Sequence, residues 1–136
     1  MDQRLSLVTV AVSSRDRSRD FYVAGLGWEP HFDGVDVLML RVGERVLLSL
    51  WEREAFEAEV GPIATGVGHP PFTLAHNVGT DAEVDAVLEA AAAAGASVRG
   101  AQRREWGGYS GYFADPDGTL WEVACAPGDD LAFLVP

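Results

Sequence analysis

The sequence predicts an α+β fold built from two tandem βαβββ modules. Three observations predict it. The 136 residues contain no long polar or Pro-rich tract, which fits one compact domain. Apolar runs of strand length recur between turn dipeptides such as Asp33-Gly34, Gly43-Glu44 and Asp117-Gly118. The order strand, helix, three strands is met once before a Gly/Pro-rich stretch and once after it.

Residues 5–12 form the first apolar run, and Ser13-Ser14 supplies an N-cap for a helix from Arg15 to Leu26, closed by Gly27. Strands follow at 28–32, 35–42 and 45–51. Residues 52–71 hold a short helix candidate and then the linker. The order restarts with a strand at 72–78. Thr80 and Glu83 make a capping-box pattern ahead of Val84, Val87, Leu88 and Ala91, one apolar helix face that ends near Gly95. Strands at 97–103, 111–114 and 119–124 complete the second module, the last two joined by Asp115-Pro116-Asp117-Gly118. The domain over 1–136 thus divides into module one (about 5–52), a linker (about 53–71), module two (about 72–126) and a tail at 127–136. Setting Val12 against Val78 pairs Leu7 with Thr73, and the closing strands pair Ser49-Leu50 with Glu122-Val123.

Composition excludes several classes. Hydrophobic residues are 48% and charged residues 23%, as in soluble globular proteins. A formal charge of −11 argues against a nucleic-acid partner, and no apolar run approaches a bilayer span. Met1-Asp2-Gln3-Arg4 lacks the layout of a signal peptide, so a cytoplasmic location is expected. All basic residues are Arg, which removes lysine chemistry. The single Cys125 lies in an apolar run and reads as a buried structural thiol.

Two stretches carry a resemblance: 18–28, SRDFYVAGLGW, and 106–124, WGGYSGYFADPDGTLWEVA. Both resemble the vicinal-oxygen-chelate superfamily, the family of glyoxalases, bleomycin-resistance proteins and extradiol dioxygenases. TLAHNV at 73–78 is similar to a bacterial subgroup of it. The resemblance implies curved mixed sheets that enclose a cavity and, in metal-dependent members, a divalent ion held by four strand residues. Those positions fall on Leu7, Ser49, Thr73 and Glu122. Only Glu122 has a usual ligand side chain, so no metal cofactor is expected. His76 lies an odd offset from Thr73, which turns it to the other face of a strand, and a buried histidine hydrogen-bonded to a neighbour is the reading preferred for it. His31 and His69 are expected at the surface.

Glu122 is therefore the candidate catalytic residue, a general base whose pKa an apolar cavity would raise. The alternative is an inherited carboxylate bonded to a Tyr or Trp. Candidate ligand-binding residues are Trp51, Trp106, Tyr109 and Tyr112 with Ser49 and Thr73. Trp106 and Tyr109 belong to a Gly-rich lip, whose Gly107, Gly108 and Gly111 read as loop flexibility. Trp121 should face away from Glu122 into the core. Three functions stand open: a metal-independent binder of a small cationic or aromatic molecule, forming a homodimer; a lyase or isomerase of the glyoxalase kind using Glu122 as base, with or without a divalent metal; and an interaction module using the apolar tail 131–135.

Overall fold

The computed structural model describes residues 1, 3–128 and 132–135; the tail at 131–135 lies partly outside the described residues. The chain divides into two compact units, Met1–Val67 and Gly68–Pro136, with the boundary inside the expected linker.

In the first unit β1 (Leu7–Val12) runs parallel to β4 (Leu47–Glu52). β4 pairs antiparallel with β3 (Val37–Arg41), and β3 with β2 (Pro30–Asp33), giving the order β1-β4-β3-β2. Alternation puts Leu38 opposite Leu50 and Leu40 opposite Leu48, all of them fully buried, while Met39 and Ser49 take the other face. α1 (Arg15–Arg19) packs on β3 and β4, with Ser14 Oγ accepting from the Arg17 N–H at 3.2 Å. From Asp20 the same helical run widens to π pitch over Asp20–Gly25, where the Leu26 N–H donates to the Phe21 carbonyl at 2.9 Å. Gly27, at φ +73°, closes it as expected; the change of pitch was not visible in the sequence. Phe21 and Tyr22, neighbours in the chain, are both buried with rings edge to face. The short helix of the linker is α2 (Arg53–Val60).

The second unit repeats the plan. β5 (Leu74–Asn77) is parallel to β8 (Leu120–Cys125), and β7 (Tyr109–Ala114) and β6 (Ser97–Arg103) follow antiparallel, in the order β5-β8-β7-β6. α3 (Asp81–Ala93) starts where the capping pattern placed it. The Thr80 hydroxyl accepts from the Glu83 N–H at 3.2 Å and donates to the Glu83 carboxylate at 2.9 Å. Val84, Leu88 and Ala91 of α3 are buried, as are Phe113, Trp121 and Val123 of the sheet it packs on. The β7–β8 turn is held by Asp115, whose Oδ1 accepts from the N–H groups of Asp117 (3.0 Å) and Thr119 (2.9 Å), with Gly118 at φ +86°.

Thr9 stands beside Ser49 in the first sheet and Ala75 beside Glu122 in the second, the same correspondence that sets Val12 against Val78. Most strands start about two residues from the expected bounds, and two of these differences bear on the site. β5 begins at Leu74, leaving Thr73 outside it and exposed, and β7 begins at Tyr109 rather than at Gly111. No helix among the described residues is long and apolar enough to cross a membrane.

Candidate functional site

The second sheet has two chemically distinct faces. On the face packed by α3 lie Tyr109, Gly111 and Phe113 of β7 and Trp121, Val123 and Cys125 of β8, paired in register. On the other face lie Ser110 and Tyr112 of β7 with Ala124 and Glu122 opposite them.

Glu122 is half-buried, and its Oε1 accepts from the Tyr112 hydroxyl at 3.0 Å. Among the described residues Oε2 has no hydrogen-bond partner. Burial first, then this hydrogen bond and the negative charge of Glu122, push the Tyr112 phenol above its usual pKa, opposed by Arg104. Tyr112 is thus a protonated donor at neutral pH. The Arg104 guanidinium lies over its ring, 5.6 Å from the centroid, held there by Nε donating to Ser110 Oγ (2.9 Å) and Nη2 to the Ser110 carbonyl (3.0 Å).

Of the residues the sequence singled out, the structure brings Tyr112 and Glu122 into contact. Tyr109 is not with them. It lies three positions from Tyr112 in one continuous strand, so its side chain points to the α3 face, where its hydroxyl donates to Asp85 at 3.0 Å. That bond holds its phenol above the usual pKa. Trp121 faces away from Glu122, buried and stacked on Phe113 at 6.0 Å. Trp106, half-exposed in the β6–β7 turn, lays its ring over Gly108, where a Cβ would fall 1.7 Å from it. The neighbouring glycines are therefore not loop flexibility alone: Gly108 makes room for that ring, and Gly111 sits inside β7 against β6.

Thr73, exposed ahead of β5, is no neighbour of Glu122; that place belongs to Ala75. In the first unit Ser49 is buried on the Met39 face of β4, and Trp51 meets Phe56 of α2 edge to face at 6.0 Å. His76 pairs with Val123 and so lies on the face away from Glu122, as its spacing implied, but it is exposed rather than buried because β5 is an edge strand. His31 and His69 are at the surface. Cys125 is only half-buried, its thiol donating to the Gly79 carbonyl at 3.3 Å. No group of three His, Cys, Asp or Glu side chains converges among the described residues. Among the described residues, a hollow between 77–79 and the chain around Ala126 and Val135 is lined by no titratable side chain. Sequence reasoning missed Arg104 and Ser110; the signal was the β6–β7 hairpin, whose register puts both on the Tyr112 face.

The glyoxalase/bleomycin resistance protein/dioxygenase superfamily model matches residues 4–123. The chain belongs to that superfamily. Among solved structures, this superfamily member is 32% identical to a glyoxalase-related enzyme from Fulvimarina pelagi, covering 92% of this chain and 89% of that one at a TM-score of 0.82. A glyoxalase/bleomycin resistance protein/dioxygenase family enzyme from Burkholderia phytofirmans shares the fold at 19% identity, with 90% and 98% covered and a TM-score of 0.75. So does a lactoylglutathione lyase from Agrobacterium tumefaciens, at 24% identity, 91% and 94% covered and a TM-score of 0.64. Among curated proteins none matches the chain significantly.

Proposed function

We propose that this superfamily member binds a small aromatic molecule on the Glu122 face of its second sheet, without the family's usual metal. The observation that carries the reading is the Tyr112–Glu122 pair: one carboxylate oxygen held by a phenol, the other uncommitted among the described residues. The free oxygen would accept a hydrogen bond from a ligand hydroxyl or ammonium group, and the Tyr112 ring offers a flat apolar surface beside it. The donor set does not fit a family-type metal. Leu7 has no donor atom, Ser49 and Thr73 offer only hydroxyls, Thr73 is not in the strand, and Glu122 is already bonded to Tyr112.

A second reading keeps one specific observation in its favour. A carboxylate beside a protonated phenol is an acid–base pair, suited to taking a proton from a carbon next to a carbonyl and returning one, the work of a lyase or isomerase of the glyoxalase kind. Exchange of such a proton for deuterium, abolished by Glu122→Gln, is its expected signature.

The binding reading is tested by calorimetric titration of the whole chain with 3-hydroxybenzoate, 3-hydroxybenzamide and benzyltrimethylammonium. At least one should bind more tightly than millimolar, and Glu122→Gln or Tyr112→Phe should weaken it by about tenfold, the worth of one hydrogen bond to a charged group. Affinities left unchanged by both substitutions would refute the assignment, as would no binding by any of the three.

A further inference from the structure

We infer that the ligand of this face carries an anionic group, of carboxylate type, held between Arg99 and Arg104 while its donor group meets Glu122. The inference rests on the binding reading above and adds the chemical class of the ligand.

Arg99 pairs across β6 and β7 with Tyr112, which pairs across β7 and β8 with Glu122, so the three side chains form one row on one face. That placement depends on a bulge. Counting from the hairpin end, Arg103 opposes Tyr109 and Gln102 opposes Ser110, and a regular ladder would then set Gly100 opposite Tyr112. Instead the register shifts between Arg99 and Gln102, two residues facing the single Gly111, and Arg99 takes the place opposite Tyr112. The bulge thereby re-aims a cation from the α3 face to the Glu122 face.

Arg104 lies over the Tyr112 ring, 5.6 Å from its centroid. Two of its donors are fixed on Ser110, and Nη1 has no partner among the described residues. Arg99 is tethered through Nη2 to His69 Nε2 at 3.0 Å, which leaves its other donors for a ligand. Arg99 is thus the cross-strand neighbour of Tyr112, Arg104 lies over the Tyr112 ring, and Glu122 is the single carboxylate in the row.

Two acids of α3 are engaged on the opposite side of the sheet. Asp81 pairs with Arg103 and Asp85 with Tyr109, both acids on α3. A molecule with a flat ring, a carboxylate at one end and a hydroxyl or ammonium at the other matches the sequence of groups across the face. A purely cationic ligand does not, since it would meet two arginines.

The two hydroxybenzoyl probes separate the cases, because 3-hydroxybenzoate and 3-hydroxybenzamide differ in one charge and little in shape. The acid should bind about tenfold or more tightly than the amide, with an affinity that falls as salt is raised. Arg99→Gln and Arg104→Lys should each narrow the acid-over-amide ratio, the acid losing affinity severalfold more than the amide. Arg99 is exposed, so its substitution tests the point without risk to the fold. Equal binding of acid and amide, tighter binding of benzyltrimethylammonium, or indifference of the acid to both arginine variants overturns the anionic class while leaving the binding reading in place. Acid binding that needs the arginines but not Glu122 or Tyr112 does the reverse. No binding by any probe overturns both.

Discussion

Gly111→Ala puts the geometry of this face under direct test. An added Cβ would lie 2.6 Å from Leu88 Cδ1 and 2.9 Å from both the Ala101 nitrogen and the Arg99 carbonyl oxygen. The Leu88 methyl can swing away, but the two backbone atoms belong to the bulge and have to move with it. Overpacking a filled site costs about 1–3 kcal/mol, and displacing a backbone ladder places this case near the upper end, about 3 kcal/mol. At roughly 2–8 °C per kcal/mol across small and medium domains, the melting temperature should fall by about 10 °C. Gly100→Ala is the matched control. It sits in the same bulge with nothing within 4 Å of its Cβ position and no positive φ, so it should change stability by less than about 0.5 kcal/mol. Thermal melts by circular dichroism, with a urea titration for each variant, measure both. A Gly111→Ala protein that melts with the parent, or a Gly100→Ala protein that falls as far, would refute the close approach of β6 to β7. Below its own melting temperature the Gly111→Ala protein should also lose its preference for 3-hydroxybenzoate over the amide, because the bulge aims Arg99.

Alkaline pH probes the Tyr112–Glu122 pair. The folded-state pKa of Tyr112 is raised above the usual phenol value of 10.0, so its contribution to stability is present below that pH and lost as pH rises through the folded value. Tyr112→Phe should therefore lose less stability than the parent between about pH 8 and pH 11 in urea titrations, and a parallel loss would contradict the pairing. At the β7–β8 turn, Asp115→Ala leaves two N–H groups without their acceptor in a buried setting and should cost about 2–3 kcal/mol, read as a lower urea midpoint. Asp115→Asn keeps an acceptor oxygen and should recover most of that loss.

Legibility followed how local each signal was. The Thr80–Glu83 cap, the apolar face of α3 and the bounds of β6 are written in consecutive residues, and the structure repeats them. The opposed directions of Trp121 and Glu122 needed only strand alternation. The same rule, applied from Tyr109 to Tyr112, separates those two residues. It was obscured because Gly107, Gly108 and Gly111 suggest a loop, whereas Gly108 makes room for a ring in the turn and Gly111 for a bulged strand within β7. Thr73 was placed by analogy with Leu7, but β5 extends only as far as its pairing with β8. The bulge in β6 was not legible, since a count of two residues against one is a property of a strand pair and of the space Gly111 leaves.

That unread bulge alters what the composition implied about the ligand. A net charge of −11 taken by itself would favour cations, yet a summed charge says nothing about sidedness. At physiological salt, charges more than about 8 Å away are largely screened, so a ligand on this face responds chiefly to its immediate neighbours. Those neighbours are Arg99, Arg104 and Glu122 together with a protonated Tyr112, because the acids of α3 are on the other side of the sheet and already hold Arg103 and Tyr109. The strand pairing sorts charge by face, and the face with the uncommitted carboxylate oxygen is the one that holds two cations. A chain acidic as a whole can therefore present a site selective for an acid.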